Sequence, residues 1–175
     1  MAEGQRQLGP KPYLLADQIH AGYNQRMTDI QGALGAAQMG RASDIITERR
    51  NIAAKYDAAF VAIENLKTPF KGANYEHGYQ SYPCRLSHSG LVQQVNDKRN
   101  NWMEILQNYG ISTRPSTHAV HMLKYYAEKY SLRPEDFPNA YRANHCSISL
   151  PLFHGMSSSE IDTVISLVNE TFPKK

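Results

Sequence analysis

Short strand-like stretches interrupt longer stretches with helical spacing along this chain, and this interleaving limits the folds that it can adopt. In the last helical stretch, a Ser157-x-x-Glu160 capping box precedes apolar residues at i, i+3, i+4, i+7 and i+11, namely Ile161, Val164, Ile165, Val168 and Phe172. The strand-like stretches cover residues 79–86, 111–115 and 147–150. We therefore predict an α+β domain in which helices lie on one face of a small, mostly antiparallel sheet.

Capping residues and glycines predict where the other helices begin and end. A first helix is expected over residues 28–39, and a longer amphipathic helix is expected to open at residues 43–44. Asp97 is expected to cap a third helix, which Gly110 ends. Pro83 lies inside the first strand-like stretch, which indicates an edge position or a bulge.

Glycine and proline also mark two stretches that lack periodicity. Residues 1–21, with Gly9, Pro10 and Pro12, are expected to form an extended N-terminal arm, and residues 22–175 the folded domain. A second such stretch, residues 65–75, is expected to be a loop.

Composition excludes several classes of function. The chain has 175 residues, 41% of them hydrophobic and 20% charged, which is ordinary for one globular domain. The net charge of +3 is scattered and forms no basic patch, so no nucleic-acid partner is expected. No apolar run reaches the length of a membrane span, and residues 1–7 are too polar for a signal peptide, so we expect a cytoplasmic protein without a membrane partner. Cys84 and Cys146 are expected to be reduced thiols in the core.

Residues 22–35 carry the first candidate binding site. A turn-prone Gly22-Tyr23-Asn24 leads through Arg26 into a helix rich in alanine and glycine. The amide of Asn24 can donate to a phosphate, and the guanidinium of Arg26 can bind a phosphate or a carboxylate. The alternatives are that Asn24 is a turn residue at the start of the helix and that Arg26 pairs with Asp29.

A second candidate site is the loop that holds Arg114, Thr117, His118 and His121. Two histidines three residues apart suggest a metal pair, but they are too few without a nearby Cys, Asp or Glu, so no metal site is predicted. Arg114 and His118 are candidates for hydrogen bonds to a substrate, and the alternative for both histidines is packing within the loop.

Five stretches together resemble the DegT/DnrJ/EryC1/StrS family of aminotransferases, which use pyridoxal phosphate (PLP) and act on nucleotide-linked keto-sugars. They occur in the family's order over roughly residues 20–172, namely Gly22-Tyr-Asn with its helix, 41–56, 109–121, Tyr125-Tyr126 and the Ser149-Leu-Pro-Leu turn into the last helix. The resemblance is to the C-terminal part of such an enzyme. It implies that residues 22–175 form an aminotransferase-like C-terminal domain, similar to the small domain of fold-type I PLP transferases.

The resemblance also implies roles for individual residues. Asn24 would bind the phosphate of a PLP held by the neighbouring subunit, and Arg26, Arg114 and His118 would contact the substrate. Ala119 departs from the pattern, because the family more often has an aromatic residue directly after that histidine. Because Asn24 would reach a cofactor held by the neighbouring subunit, a homo-oligomer is expected.

The family's cofactor-bearing lysine lies far before the Gly-Tyr-Asn motif, whereas only 21 residues precede the motif here. Lys11 lacks the sequence context of that lysine and lies too close to the motif. We therefore expect no catalytic residue and no bound PLP in this chain alone, inactivity by itself, and an N-terminal lysine-bearing half as partner. The alternative function is a stand-alone interaction or assembly module that re-uses the fold.

Overall fold

The structure is a computed structural model that describes residues 11–14 and 17–173. Its helices and strands follow the predicted order with two differences: one short strand is added at residues 66–67, and a single bridge replaces the strand predicted at residues 111–115. Two single-turn 3-10 helices, Val120–Met122 and Pro134–Asp136, flank α4. The elements are α1 Asp29–Met39, α2 Ala42–Phe60, β1 Leu66–Lys67, β2 Tyr82–Leu86, α3 Val92–Asn108, α4 Lys124–Tyr130, α5 Pro138–Cys146, β3 Ser147–Leu150 and α6 Ser158–Thr171.

The sheet is antiparallel throughout, in the order β1-β2-β3, which confirms the predicted fold class. Residues of β2 alternate between buried and half-buried positions, so one face of the strand packs into the core. β2 is the middle strand, but β1 pairs only with Arg85 and Leu86. Pro83 therefore has a neighbouring strand on one side only, which is how a proline is accommodated in a central strand.

Two strand predictions are wrong in detail. β1 lies within residues 65–75, which were predicted as a loop, because two residues are too few to show an alternating pattern. The predicted strand at 111–115 is reduced to a single bridge between Arg114 and Ser149, on the side of β3 away from β2.

The core lies between β2, β3 and the helices α2, α3 and α6. Tyr56 of α2 packs edge-on against Tyr82 of β2, with ring centroids 5.1 Å apart, and Trp102 of α3 is fully buried. Burial of one such side chain contributes about 1.5–3 kcal/mol. Cys84 and Cys146 are buried free thiols, as predicted.

α3 begins five residues before the predicted cap. It starts at Val92 after Leu91, whose N–H donates to the side chain of Gln94 at 3.2 Å, while Asp97 is exposed within the helix. The prediction was wrong because Val95 is buried, so the apolar face continues upstream of Asp97. α2 begins slightly earlier than predicted, at Ala42, without a side-chain cap.

The described parts of residues 1–21 contain no helix or strand and lie on the folded body at two places. Pro12 is buried, and the hydroxyl of Tyr13 donates to Glu104 of α3 at 2.8 Å. Asp17 and Gln18 contact the start of α4. Within residues 11–14 and 17–173, no helix is long and apolar enough to cross a membrane.

Candidate functional site

Asn24 and Arg26 lie in an extended segment directly before α1, and the whole stretch from residue 19 to residue 30 is exposed. Neither side chain forms a hydrogen bond or an ion pair with another described residue. In particular, Arg26 does not form the ion pair with Asp29 that the sequence analysis gave as its alternative role. Both polar groups are therefore free to bind a ligand.

α1 begins with a capping box: the Thr28 N–H donates to the Gln31 side chain at 3.0 Å, and the Gln31 N–H donates to the Thr28 hydroxyl at 3.4 Å. No residue of α1 is buried. Its apolar side chains Ile30, Leu34 and Met39 are 77%, 65% and 72% exposed. Ile30 and Leu34 are four positions apart and share one face of the helix, which is uncovered.

The segment of residues 19–41 is held to the body at its two ends. Before it, the N–H of Tyr125 donates to the carbonyl of Gln18 at 2.9 Å. At its end, the guanidinium of Arg41 lies 3.2 Å from Nε2 of His154. Within the described chain, no other hydrogen bond or ion pair joins residues 19–41 to residues beyond α2.

The histidine loop, residues 114–121, is fixed through its backbone. The carbonyl of Arg114 accepts from the N–H of Ser149 at 2.7 Å, and the N–H of Ala119 donates to the side chain of Asn144 at 3.0 Å. The guanidinium of Arg114 is exposed, and the ring of His118 is half-buried. Neither side chain has a hydrogen bond to another described residue, so a fixed loop presents two free polar groups.

Helix α3 supports this loop indirectly through α5. The side chain of Asn96 donates to the carbonyl of His145 at 2.9 Å, and buried Arg99 donates to the carbonyl of Ser147 at 3.2 Å. Asn96 thus satisfies a carbonyl in the last turn of α5, and Arg99 satisfies the carbonyl directly after it, near the end of the helix where a cation is favoured by the dipole. Burial nevertheless lowers the pKa of Arg99, to about 10. These contacts hold α5, and with it Asn144, in place.

His121 has a packing role. Its ring is buried in the 3-10 turn and lies 5.0 Å from the ring of Phe137, so this histidine follows the alternative of loop packing. No group of three or more His, Cys, Asp or Glu side chains able to hold a metal ion occurs among residues 11–14 and 17–173.

Lys11 is engaged on the surface of α3. Its ammonium lies 3.7 Å from the carboxylate of Glu104 and 5.6 Å from the ring centre of Tyr13. Tyr13, and then Glu104, raise the pKa of Lys11. A lysine that bonds covalently to a cofactor needs a lowered pKa, so this environment does not suit that role.

The four predicted ligand-binding residues form two pairs. Arg114 and His118 share the histidine loop, and Asn24 and Arg26 share the segment before α1, with no described hydrogen bond or ion pair between the two pairs. Sequence reasoning missed Asp17 and His154, which hold the ends of that segment. No local signal could have revealed them, because their contacts join residues more than 100 positions apart.

Comparison with known proteins gives the context of these residues. The sequence profile of the DegT/DnrJ/EryC1/StrS aminotransferase family matches residues 4–169. The spore coat polysaccharide biosynthesis protein SpsC of Bacillus subtilis is 34% identical over 155 residues, which are 85% of this chain and 38% of SpsC.

Solved structures agree with this match. The putative sugar aminotransferase Spr1654 of Streptococcus pneumoniae, in its apo form, superposes with a TM-score of 0.73 at 25% identity, over 83% of this chain and 35% of that one. The aminotransferase TlmJ of Streptoalloteichus hindustanus superposes with a TM-score of 0.68 at 26% identity, over 82% of this chain and 36% of TlmJ. The chain thus spans little more than a third of the proteins that it matches. It belongs to the DegT/DnrJ/EryC1/StrS aminotransferase family.

Proposed function

We propose that this chain is the C-terminal part of a PLP-dependent aminotransferase that acts on nucleotide-linked keto-sugars. In this proposal the chain supplies contacts to the cofactor phosphate and to the substrate, while a second, N-terminal part supplies the lysine. Support for a sugar aminotransferase comes from the family match and from Spr1654, which was also solved in a PMP form. The observation that carries the proposal is the free state of Asn24 and Arg26 in a segment held at both ends.

The donor chemistry of these residues fits the phosphate of PLP. The amide of Asn24 is exposed, is not committed to another described residue, and donates to an oxyanion without adding charge. When bound, PLP supplies the electron sink that lets an amino group move between an amino acid and a keto-sugar. The role assigned to Asn24 is to orient the phosphate, and the cofactor would belong to the neighbouring subunit.

Arg26, Arg114 and His118 are assigned to the substrate. A free guanidinium forms paired hydrogen bonds with a phosphate, which a nucleotide-linked sugar carries in its diphosphate. His118 lies in a loop that is fixed by the hydrogen bond from the N–H of Ala119 to Asn144, and its imidazole offers hydrogen-bonding nitrogens to a substrate. The two pairs lie on separate supports, so the proposed site is completed by the second part of the enzyme or by another subunit.

The surroundings of Lys11 support the view that this chain holds no PLP and is inactive by itself. Its ammonium is paired with Glu104, and its pKa is raised rather than lowered. The test is to add PLP to the isolated chain, dialyse, and record absorbance between about 330 and 430 nm, where lysine-bound PLP absorbs. We expect no retained band. A band that survives dialysis and disappears in Lys11→Ala would overturn this part of the proposal.

Activity is tested by restoring the second part. The chain is co-expressed with a lysine-bearing N-terminal segment from a family member, and amino transfer from glutamate to a nucleotide-linked keto-sugar is measured. We expect activity only in the mixture. A folded, associated mixture that binds PLP yet transfers no amino group would contradict the proposed reaction.

One observation favours a second function, a stand-alone assembly module. The apolar face of α1 is uncovered, and such faces on soluble proteins are usually interaction sites. Under either proposed function we expect the protein to be a homo-oligomer in the cytoplasm, without a nucleic-acid or membrane partner. A neighbouring gene for a lysine-bearing half supports the enzyme, whereas an isolated gene supports the module. A strict monomer in light scattering at high concentration would contradict self-association.

A further inference from the structure

The histidine loop is held at two points that have only two residues between them. On one side, the hydroxyl of Ser149 in β3 donates to the hydroxyl of Ser116 at 3.1 Å. On the other side, the backbone N–H of Ala119 donates to Oδ1 of Asn144 in α5 at 3.0 Å. Residues 117–118 therefore bridge two supports that belong to different elements of the fold.

Among the described residues, the side chain of Asn144 forms one hydrogen bond, and its partner is this loop. A backbone N–H can only donate, so the atom of Asn144 that faces Ala119 is the oxygen. Nδ2 of Asn144 lies 3.3 Å from Nδ1 of His145. That nitrogen is itself a donor, because it lies 2.9 Å from the carbonyl of Tyr141, which can only accept. Two donors form no hydrogen bond, so Asn144 is committed to the loop alone.

Helix α3 holds the backbone next to Asn144 in place. Nδ2 of Asn100 donates to Oδ1 of Asn96 at 3.2 Å, and Nδ2 of Asn96 donates to the carbonyl of His145 at 2.9 Å. Asn96 is buried, so these bonds form inside the protein rather than on its surface. The last turn of α5 is therefore a fixed support from which the side chain of Asn144 reaches the loop.

We propose that Asn144 is a positioning residue for His118. Its oxygen holds the backbone of the neighbouring residue, Ala119, against α5 and thereby sets the direction in which the half-buried imidazole of His118 faces. The ring itself has no hydrogen bond to another described residue, so the loop backbone has to supply this orientation. The role of His118 at the substrate rests on the proposed function, whereas the position of its ring does not.

Two variants of similar size separate the oxygen of Asn144 from its bulk. Asn144→Leu removes the acceptor and leaves the N–H of buried Ala119 without its partner. Asn144→Asp keeps an oxygen at the same place and should therefore preserve the bond. Asn169→Leu is the matched control, because the side chain of this exposed asparagine bonds only to Ile165 of its own helix.

Nuclear magnetic resonance of the chain by itself, at one constant pH, measures the position of the loop. In Asn144→Leu we expect amide exchange at Ala119 to be about tenfold faster, as loss of one hydrogen bond implies. The ring signals of His118 should move towards those of His20, an exposed histidine without a described contact. Asn144→Asp and Asn169→Leu should keep the parent values. Unchanged exchange and ring signals in Asn144→Leu would overturn the proposal.

Kinetics of the chain combined with a lysine-bearing segment separate positioning from support of the fold. Asn144→Leu should raise the KM for the nucleotide-linked sugar about tenfold and change kcat less than about twofold, and Asn144→Asp should restore the parent KM. If Asn144→Leu unfolds at lower urea concentration but keeps the parent KM, Asn144 only supports the fold and the proposal is wrong. A parent mixture without activity would contradict the proposed function instead, and the ring signals of His118 would then decide this inference.

Discussion

The carboxylate of Asp17 caps a helix that begins 107 positions later, accepting from the backbone N–H of Lys124 at 3.0 Å. The residue before α4, Leu123, offers no side-chain cap of its own. The carbonyl of the next arm residue, Gln18, accepts from the N–H of Tyr125 at 2.9 Å. Two N–H groups at the start of α4, which no intrahelical partner can satisfy, are thus satisfied by the arm. The same contacts hold the arm beside the segment that carries Asn24 and Arg26.

Replacement of Asp17 by Ala should weaken both the helix and the tie. Loss of a capping carboxylate costs about 0.5–2 kcal/mol. We expect faster amide exchange at Lys124 and Tyr125 and a lower free energy of unfolding in urea. Asp162→Ala, which removes an exposed carboxylate without a described contact, is the matched control and should leave both measurements unchanged. Unaltered exchange at Lys124 in Asp17→Ala would show that the cap is not formed.

The capping boxes of α1 and α6 should respond differently to the same type of change. Thr28→Ala and Ser157→Ala each remove a hydroxyl that accepts from a backbone N–H. α6 packs its apolar face in the core, so loss of its cap should lower global stability by about 1 kcal/mol. α1 has no buried residue, so loss of its cap in Thr28→Ala should appear only as faster amide exchange within residues 29–39. Equal losses of global stability would contradict this difference.

Alkaline pH should destabilise the fold through its buried thiols and phenols. Burial raises the pKa of Cys84 well above its usual range, and burial likewise raises the pKa values of Tyr56 and Tyr82. The folded state keeps these protons while the unfolded chain releases them. Their stabilising contribution is therefore complete below the ordinary thiol pKa, about 8.5, and declines as the pH rises above it.

Urea unfolding at pH 8, 9 and 10 measures this decline, and Cys84→Ala isolates the thiol. Each group that titrates only in the unfolded state contributes a slope of about 1.4 kcal/mol per pH unit. We expect Cys84→Ala to be less stable than the parent chain at pH 8, because of the cavity, but to lose stability less steeply above pH 9. Parallel slopes in the two proteins would exclude Cys84 as a source of the pH dependence.

Asn24 and Arg26 should separate cofactor binding from substrate binding once the chain is combined with a lysine-bearing segment. Asn24→Ala should weaken retention of PLP by about 1–3 kcal/mol, because a charged acceptor loses one donor. Arg26→Ala should raise the KM for the nucleotide-linked sugar with less effect on the cofactor. PLP titration and steady-state kinetics provide the two measurements. If the Asn24→Ala complex holds PLP as tightly as the parent complex, Asn24 is a turn residue and does not bind the cofactor.

Much of the fold could be predicted from local patterns. The capping box at Ser157 was predicted and is present, and the first helix begins at Asp29, within the predicted residues 28–39. β3 was predicted over residues 147–150 and has these bounds. Local hydrogen bonds and the spacing of apolar residues decide such features, and both are visible in a short window of sequence. The start of α3 was missed because burial of Val95, rather than a polar cap, extends that helix.

The sequence by itself determined the helices, most of the strands and the identity of the four candidate ligand-binding residues. Only the tertiary structure decided that Arg26 does not pair with Asp29, that Lys11 pairs with Glu104, and that Asp17 and His154 lie at the two ends of residues 19–41. The last two outcomes depend on contacts between residues far apart in the chain. Such contacts form only after the helices have packed and brought the two partners together. An exposed ion pair contributes too little free energy to form without that packing.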